Sequence, residues 1–154
     1  MNPLAKGKKF SVLFPDDFAE RILPDEAEVL DLNVYRICLS GEINQAAFQS
    51  TYEDKYMIQR PQELDLENPS TFSTSCYEKT KDIRNSLKMF RKRNHPEAII
   101  ACGNTGVTDG LVLQEKKKKN HGKRSHVDWW IYRDHDVSPR FKDYTSIIMG
   151  DKKK

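Results

Sequence analysis

Residues 98–132 read AIIACGNTGVTDGLVLQEKKKKNHGKRSHVDWWIY, and this stretch decides the fold. Its three runs of β-forming residues predict strands at Ala98–Cys102, Gly110–Gln114 and His126–Tyr132. Glycine, asparagine and aspartate, which accept the backbone of tight turns, separate the first two runs, so a chain reversal is predicted there. The Lys-rich residues 115–125 are too charged to bury. The second and third strands are therefore predicted to form an antiparallel hairpin with a basic tip.

The third predicted strand alternates between two kinds of side chain. Its first face is apolar and belongs to the core: Val127, Trp129 and Ile131. Its second face combines aromatic and titratable groups: His126, Asp128, Trp130 and Tyr132. Such a mixture is typical of the wall of a cleft. A strand at the margin of the sheet, with its aromatic rings covered by a helix, is the alternative that the sequence leaves open.

The positive charge of the chain is concentrated in two short stretches. The 154 residues are 32% charged with a net charge of +3, and the excess lies largely in residues 116–124 and 152–154. A chain of this length fits one domain that buries about two thirds of its unfolded surface without a cofactor or cross-link. We expect residues 1–9 to form a flexible arm and residues 150–154 a Lys-rich tail.

The cysteines and histidines indicate a reducing compartment and no metal site. Cys38, Cys76 and Cys102 lie far apart in apolar or strand-like runs, which is typical of small buried hydrophobic residues. Together with the four histidines they show no recognised metal-ligand spacing. No apolar run has the length of a membrane span, and residues 1–9 lack the apolar core of a signal peptide. The sequence predicts a cytoplasmic protein without a membrane partner.

The earlier part of the chain predicts further strands with helices between them. Residues Leu32–Leu39 alternate as a strand, with Arg36 on an otherwise apolar face, where its charge needs an acidic partner or a bound anion. Residues Thr71–Thr74 form a short strand that leads into Ser75-x-x-Glu78, a capping-box spacing for a helix over 76–91. We therefore predict an α+β fold, with a mixed, mainly antiparallel sheet and two or three packed helices.

Three of these elements occur in a suggestive order: Tyr35-Arg36 on an early strand, Phe72-Ser73-Thr74-Ser75 on the next, and the acidic and aromatic face of the last. Over residues 34–132 this order resembles the Arg, Ser-Thr-Ser, Glu branch of the ADP-ribosyltransferase superfamily. The resemblance implies that Arg36 contacts the dinucleotide NAD or a related nucleotide. It also implies that Ser73 and Ser75 brace the nicotinamide cleft.

The catalytic glutamate of that family has no counterpart in this chain. No Glu-x-Glu or Gln-x-Glu pair occurs near the last strands, and Asp128 and Glu115 are the nearest acidic residues. In the family's place for this glutamate, a shortened Asp128 or the loop residue Glu115 would have to stand, and we expect Asp128 with His126 beside it to be catalytic. Trp130 and Tyr132 on the same face are expected to line the cofactor cleft.

A second class of function follows from the basic tip. The predicted hairpin loop carries six cations: Lys116, Lys117, Lys118, Lys119, Lys123 and Arg124. Such a cluster raises the local positive potential and can hold nucleic acid or an acidic protein. The chain is then either a small nucleotide-binding enzyme or a binding module without catalysis, and the sequence alone leaves both open.

Overall fold

The computed structural model describes residues 1–54 and 64–150 and contains a six-stranded sheet in which every neighbouring pair is antiparallel. The strands are β1 (Asn33–Cys38), β2 (Thr74–Tyr77), β3 (Ile99–Asn104), β4 (Gly110–Gln114), β5 (His126–Ile131) and β6 (Lys142–Asp143), arranged in the order β4-β5-β2-β1-β3-β6. The predicted α+β class is confirmed, and so is the β4–β5 hairpin with the basic loop at its tip.

Two α-helices pack on this sheet, α1 (Thr80–Lys92) and α2 (Thr145–Met149). The shorter helical segments are a π-helical turn at Phe18–Ile22 and 3-10 turns at Pro3–Ala5, Gln45–Phe48, Pro69–Phe72, Glu115–Lys117 and Ser138–Arg140. Within residues 1–54 and 64–150, none of the helices has the length and apolar character to cross a membrane.

The predicted reversal between β3 and β4 is wrong. The four antiparallel pairings that connect these strands through β1, β2 and β5 require β3 and β4 to run in the same direction. The segment just before β1 connects β4 to the end of β3. Glu28 forms a β-bridge with Val112 of β4, and Leu32 exchanges hydrogen bonds with Thr105, the residue after β3. The sheet is consequently curled around its inner face.

Apolar clusters cover both faces of the sheet. The inner face packs Val34, Cys76, Val127 and Trp129 against Phe48 and Phe141. The outer face is covered in two parts. Apolar side chains of residues 1–27 cover β4 and β5. Helices α1 and α2 cover β1 and β3. A strip of polar residues remains between these two outer clusters.

The start of α1 differs from the prediction. Residues 74–77 belong to β2, and α1 begins at Thr80 without a side-chain cap from its own N-terminal residues. Ser125 fixes the residues just before the helix, because its Oγ accepts from the backbone N–H groups of Glu78 and Lys79 at 3.2 and 2.9 Å. Asp82 in the first turn in turn accepts from Ser125 N and Oγ, each at 2.7 Å. The base of the basic loop is thus fixed to the N-terminus of α1.

The N-terminal nine residues pack on the domain. Asn2 is buried, and its side-chain amide donates to the carbonyls of Pro24 and Ala27 at 2.9 Å each. Ala5 is buried in the outer cluster, and Lys9 O accepts from Arg133 N. Of the predicted Lys-rich tail, residues 151–154 lie outside the described residues.

Candidate functional site

The sheet has a seam between β1 and β2. Strand β1 pairs with β3 along its whole length, from Asn33 to Cys38, but it pairs with β2 only where Tyr35 faces Tyr77. Beyond that point the two strands share no backbone ladder. The seam divides the sheet into one half made of β4, β5 and β2 and another made of β1, β3 and β6.

Arg36 bridges the seam where the ladder is missing. Its Nη1 donates to Ser75 O at 2.9 Å, its Nε to Ala47 O at 3.0 Å and its Nη2 to Gln49 O at 3.3 Å. The partner expected for this guanidinium was an acidic side chain or an anion, and the structure shows three backbone carbonyls instead. Since a guanidinium has five N–H donors, two remain for a further acceptor.

A cavity of about 190 Å³ opens at the seam. Arg36 of β1 and Ser75 and Tyr77 of β2 line it together with Arg124 from the basic loop. Its apolar wall comes from the β1 side of the seam and from α1: Ile37, Leu39, Ile83, Met89 and Phe90. The structure therefore brings together Arg36 and Ser75, two of the residues predicted to bind the cofactor.

The polar strip beside this cavity is a connected group that we call the Asp128 cluster: Ser70, Ser73, Ser75, Lys118, His126 and Asp128. Asp128 is 1% exposed. Its carboxylate accepts from Ser73 Oγ at 2.7 Å, Ser70 Oγ at 2.9 Å and Lys118 Nζ at 2.7 Å. Burial acts to lower the pKa of Lys118, but the hydrogen bond and charge of Asp128 outweigh burial and leave that pKa raised. The cluster thus holds a buried carboxylate against a protonated amine.

His126 connects the Asp128 cluster to the cavity. Its Nε2 is in hydrogen-bond contact with Ser75 Oγ, and its Nδ1 lies 3.9 Å from Asp128 Oδ1. Burial lowers the pKa of His126, and the nearby Asp128 charge offsets only part of that effect. The imidazole is therefore neutral at pH 7, with one nitrogen able to accept a proton.

Trp130 and Tyr132 do not join this group. Trp130 is 1% exposed, packs in the outer cluster over β4 and β5, and donates from Nε1 to Pro69 O at 3.0 Å. Tyr132 is buried in the same cluster and lines a separate, larger groove of about 700 Å³. The expectation that their face forms an open cleft wall is wrong for Trp130, because the first 27 residues cover it.

The basic loop contains two kinds of lysine. Lys117 pairs with Glu28 at 2.6 Å, and Lys118 reaches Asp128. Within the part of the chain that the structure describes, Lys116, Lys119 and Lys123 are exposed and make no ion pair. Arg124 is exposed at the cavity, and its Nη1 lies 3.4 Å from the hydroxyl oxygen of Tyr77. Among the described residues, the loop thus presents four exposed cations that form no ion pair: Lys116, Lys119, Lys123 and Arg124.

Two contributors to the site are absent from the sequence-based assignment. Tyr77 lines the cavity, and the alternation of β2 places it on the same face as Ser75. The predicted helix start at residue 76 concealed that signal. Ser70 binds Asp128 from the 3-10 turn before β2, and no local pattern marks this long-range contact.

Two further acidic residues, Asp109 and Glu115, lie at opposite ends of β4 and bond to different groups. Asp109 accepts from His135 and Arg140, and Glu115 accepts from Gly122 N and pairs with Lys118. Among the described residues, no three histidine, cysteine or acidic side chains are grouped so that they could hold a metal ion.

No family model, curated protein or solved structure matches this chain. The residues of the seam cavity and of the Asp128 cluster therefore carry the functional argument.

Proposed function

We propose that the seam cavity binds NAD or a related nucleotide. One observation carries the proposal: Arg36 and Ser75, which the sequence pairs in an ADP-ribosyltransferase-like pattern, line one cavity at the interruption of the sheet. Tyr77 adds an aromatic ring and Arg124 an exposed guanidinium to the same cavity. A concave site with an apolar wall and a few convergent polar groups is typical of small-molecule binding.

The size of the cavity limits how much of a dinucleotide it takes. Its volume of about 190 Å³ is below the roughly 300–1,000 Å³ usual for a whole drug-sized ligand. One ring with part of its sugar is therefore inside, against Tyr77 and Phe90. The phosphates lie outside, where the exposed Arg124 can pair with them through two parallel hydrogen bonds.

The geometry supports binding more directly than catalysis. Asp128 is buried behind His126 and accepts three hydrogen bonds, so it acts on its neighbours and does not face the ligand. Among the described residues, Asp54 is the carboxylate that lines the cavity. Stabilisation of an oxocarbenium charge requires such an acid close to the ribose. NAD cleavage is for this reason measured separately from NAD binding.

The first expected result is that NAD binds and that Arg124→Ala weakens the binding tenfold or more. A hydrogen bond between charged groups contributes about 1.5–3 kcal/mol, and that amount corresponds to at least tenfold in Kd. Arg124 is the better probe, because Arg36 also holds three backbone carbonyls and its replacement would disturb the seam itself. The measurement is isothermal titration calorimetry with NAD, with nicotinamide release followed by chromatography.

Arg93→Ala is the matched control, since Arg93 is an exposed arginine at the C-terminal end of α1 and does not line the cavity. Its Kd should equal that of the parent. Absence of heat at millimolar NAD would refute the proposal, and so would equal weakening in the two variants.

The basic loop carries a second candidate function, binding of nucleic acid. Lys116, Lys119 and Lys123 project from one loop without ion pairs among the described residues, and Arg124 lies at its base. Phosphate binding by such a loop releases counterions and is therefore salt-dependent. An acidic protein can bind the same exposed cations. The experiment therefore tests an acidic peptide as well as DNA.

Replacing Lys116, Lys119 and Lys123 together with glutamine should weaken binding to a short duplex DNA and flatten its salt dependence. The slope of log K against log salt should fall by roughly 0.9 for each phosphate that the loop no longer neutralises, about 2.7 in all. Lys117 and Lys118 are left in place because they pair with acids. Fluorescence anisotropy over a series of salt concentrations measures the slope.

The control variant replaces Lys81, Lys88 and Lys92, three exposed lysines of α1, and removes the same charge elsewhere. An equal loss in the control would show that net charge is responsible and would reject the loop as the site. Parent protein that binds an acidic peptide but not DNA would assign the loop to a protein partner.

We also propose that the protein is cytoplasmic. Cys38 and Cys76 are buried and Cys102 is half-buried, and all three are free thiols. Burial raises the pKa of the Cys38 thiol to about 11, so Cys38 is protonated and inert near neutral pH. Unpaired structural thiols fit a reducing compartment.

A further inference from the structure

Ser75 and His126 lie together because of the register of β2 and β5. Ser75 is opposite Asp128 and Tyr77 is opposite His126, so all four side chains are on the outer face of the sheet. Ser75 Oγ contacts His126 Nε2, and the other ring nitrogen faces Asp128. A hydroxyl in contact with an imidazole is the pair that makes a serine nucleophile with its base. Asp128 lies 3.9 Å from Nδ1, which is too far for a hydrogen bond, so it acts on the ring through its charge.

The burial of His126 favours its role as a base. Burial keeps its pKa below the ordinary value, and the groups that face the ring are Asp128, Glu115, Lys118 and Arg124. The Tyr77 ring meets it edge to face, with ring centroids 5.3 Å apart. A neutral imidazole whose Nδ1 carries the proton toward Asp128 leaves Nε2 to accept the proton of a serine hydroxyl.

Ser75 is also accessible from outside. Its residue is half-buried and lines the seam cavity of about 190 Å³, whose apolar wall includes Ile37 and Phe90. Thr51 and Arg124 contribute polar donors to the same cavity. A small acyl group fits this volume, and the donors can meet the oxyanion that develops when a carbonyl is attacked.

We propose that Ser75 is an acylatable nucleophile, with His126 as its general base, and that the protein hydrolyses small carboxylic esters. Ser75 Oγ forms a bond to the acyl carbon while its proton passes to His126 Nε2. The bond from the acyl carbon to the leaving oxygen then breaks as Nε2 gives that proton to the leaving group, which departs as an alcohol or phenol and leaves His126 neutral. Water then attacks the acyl-serine, gives its proton to Nε2, and releases the carboxylic acid as the proton returns to Ser75 Oγ. The step needs no cofactor or redox partner.

This activity is separate from nucleotide binding, although the two share the cavity. Asp128 is a positioning residue, because its Oδ1 lies 3.9 Å from Nδ1 and it does not line the cavity. Asp128→Asn should therefore lower the acylation rate less than His126→Gln does, and should shift the midpoint of the pH profile, whereas a merely structural role would change the amount of folded protein alone.

The test incubates the full chain with p-nitrophenyl acetate and, in parallel, with a fluorophosphonate probe, and maps the modified residue by mass spectrometry. We expect one label per chain on Ser75, a burst of nitrophenolate that matches the protein concentration, and loss of both in Ser75→Ala. In His126→Gln the labelling rate should fall at least 100-fold. Ser146→Ala, which changes an exposed serine of α2, should leave labelling unchanged.

The labelling rate should rise with pH as His126 loses its proton, with a midpoint below about 6.5, the ordinary value for histidine. Equal labelling of Ser75→Ala and parent, label on another residue, or no label on natively folded parent, checked by circular dichroism, would overturn the proposal. NAD binding that persists in Ser75→Ala shows that the two proposals stand independently. Acylation without NAD binding removes the nucleotide function and leaves this one.

Discussion

Replacement of Trp130 with alanine should lower the free energy of unfolding by about 3–5 kcal/mol, the cost of truncating a fully buried aromatic side chain. Trp130 is 1% exposed and packs with Phe72, Leu111 and Tyr132 in the outer cluster. Its loss would leave a cavity and would free the Pro69 carbonyl that accepts from Nε1 at 3.0 Å. Urea unfolding followed by circular dichroism measures the change.

The alternation of β5 alone predicts that Trp129→Ala lowers the free energy of unfolding more than Trp130→Ala does, if Trp130 lines an open cleft. Both are 1% exposed, so we expect similar losses for the two alanine variants. Val12→Ala is the control, because Val12 is 73% exposed and should change stability by no more than about 0.5 kcal/mol. A Trp130→Ala midpoint close to that of the parent would contradict the burial of this side chain.

Lys118→Met should destabilise the protein by about 3 kcal/mol, because it removes the cation that compensates the charge of Asp128, which is 1% exposed. Asp128 would keep the hydroxyls of Ser70 and Ser73 but lose the cation 2.7 Å away. Methionine preserves the length of the side chain, so the loss reports mainly on charge. The free energy of unfolding from urea titration at pH 7 measures it.

The same pair sets a dependence on alkaline pH. The folded pKa of Lys118 is raised above the 10.5 of an unfolded lysine, so its contribution is fully present below pH 10.5 and is lost as pH rises through the raised value. Lys117→Met is the control, since Lys117 and Glu28 form a more exposed pair that should contribute at most about 1 kcal/mol. Equal losses in the two variants would argue against a special role for the buried carboxylate.

Local patterns predicted the parts of the fold that depend on local chemistry. The β4–β5 hairpin followed from two runs of β-forming residues on either side of a charged loop. The order of the strands could not be predicted, because β1 lies between β2 and β3 through contacts far apart in sequence.

The candidate site shows the same limit of local reasoning. The family resemblance singled out Ser73 and Ser75, and the alternation of the last predicted strand placed His126 and Asp128 on one face. The structure groups these four side chains. The predicted role of Ser75 as a helix cap is wrong, because Ser75 lies within β2 and α1 begins only at Thr80. The residues that bury Trp130 and the carbonyl groups that bind Arg36 lie far from them in sequence. The sequence around Trp130 and Arg36 therefore does not predict these contacts.

The seam between β1 and β2 has a consequence for how the protein opens. Two three-stranded units share side chains in the inner cluster and the Arg36 bridge but almost no backbone ladder. Partial unfolding begins where the fewest backbone hydrogen bonds must break, so amide exchange should be fastest along this line relative to the strands on either side. A molecule seated in the cavity touches both units. Its binding free energy would stabilise the folded arrangement of the two units, so that they would unfold together in one step.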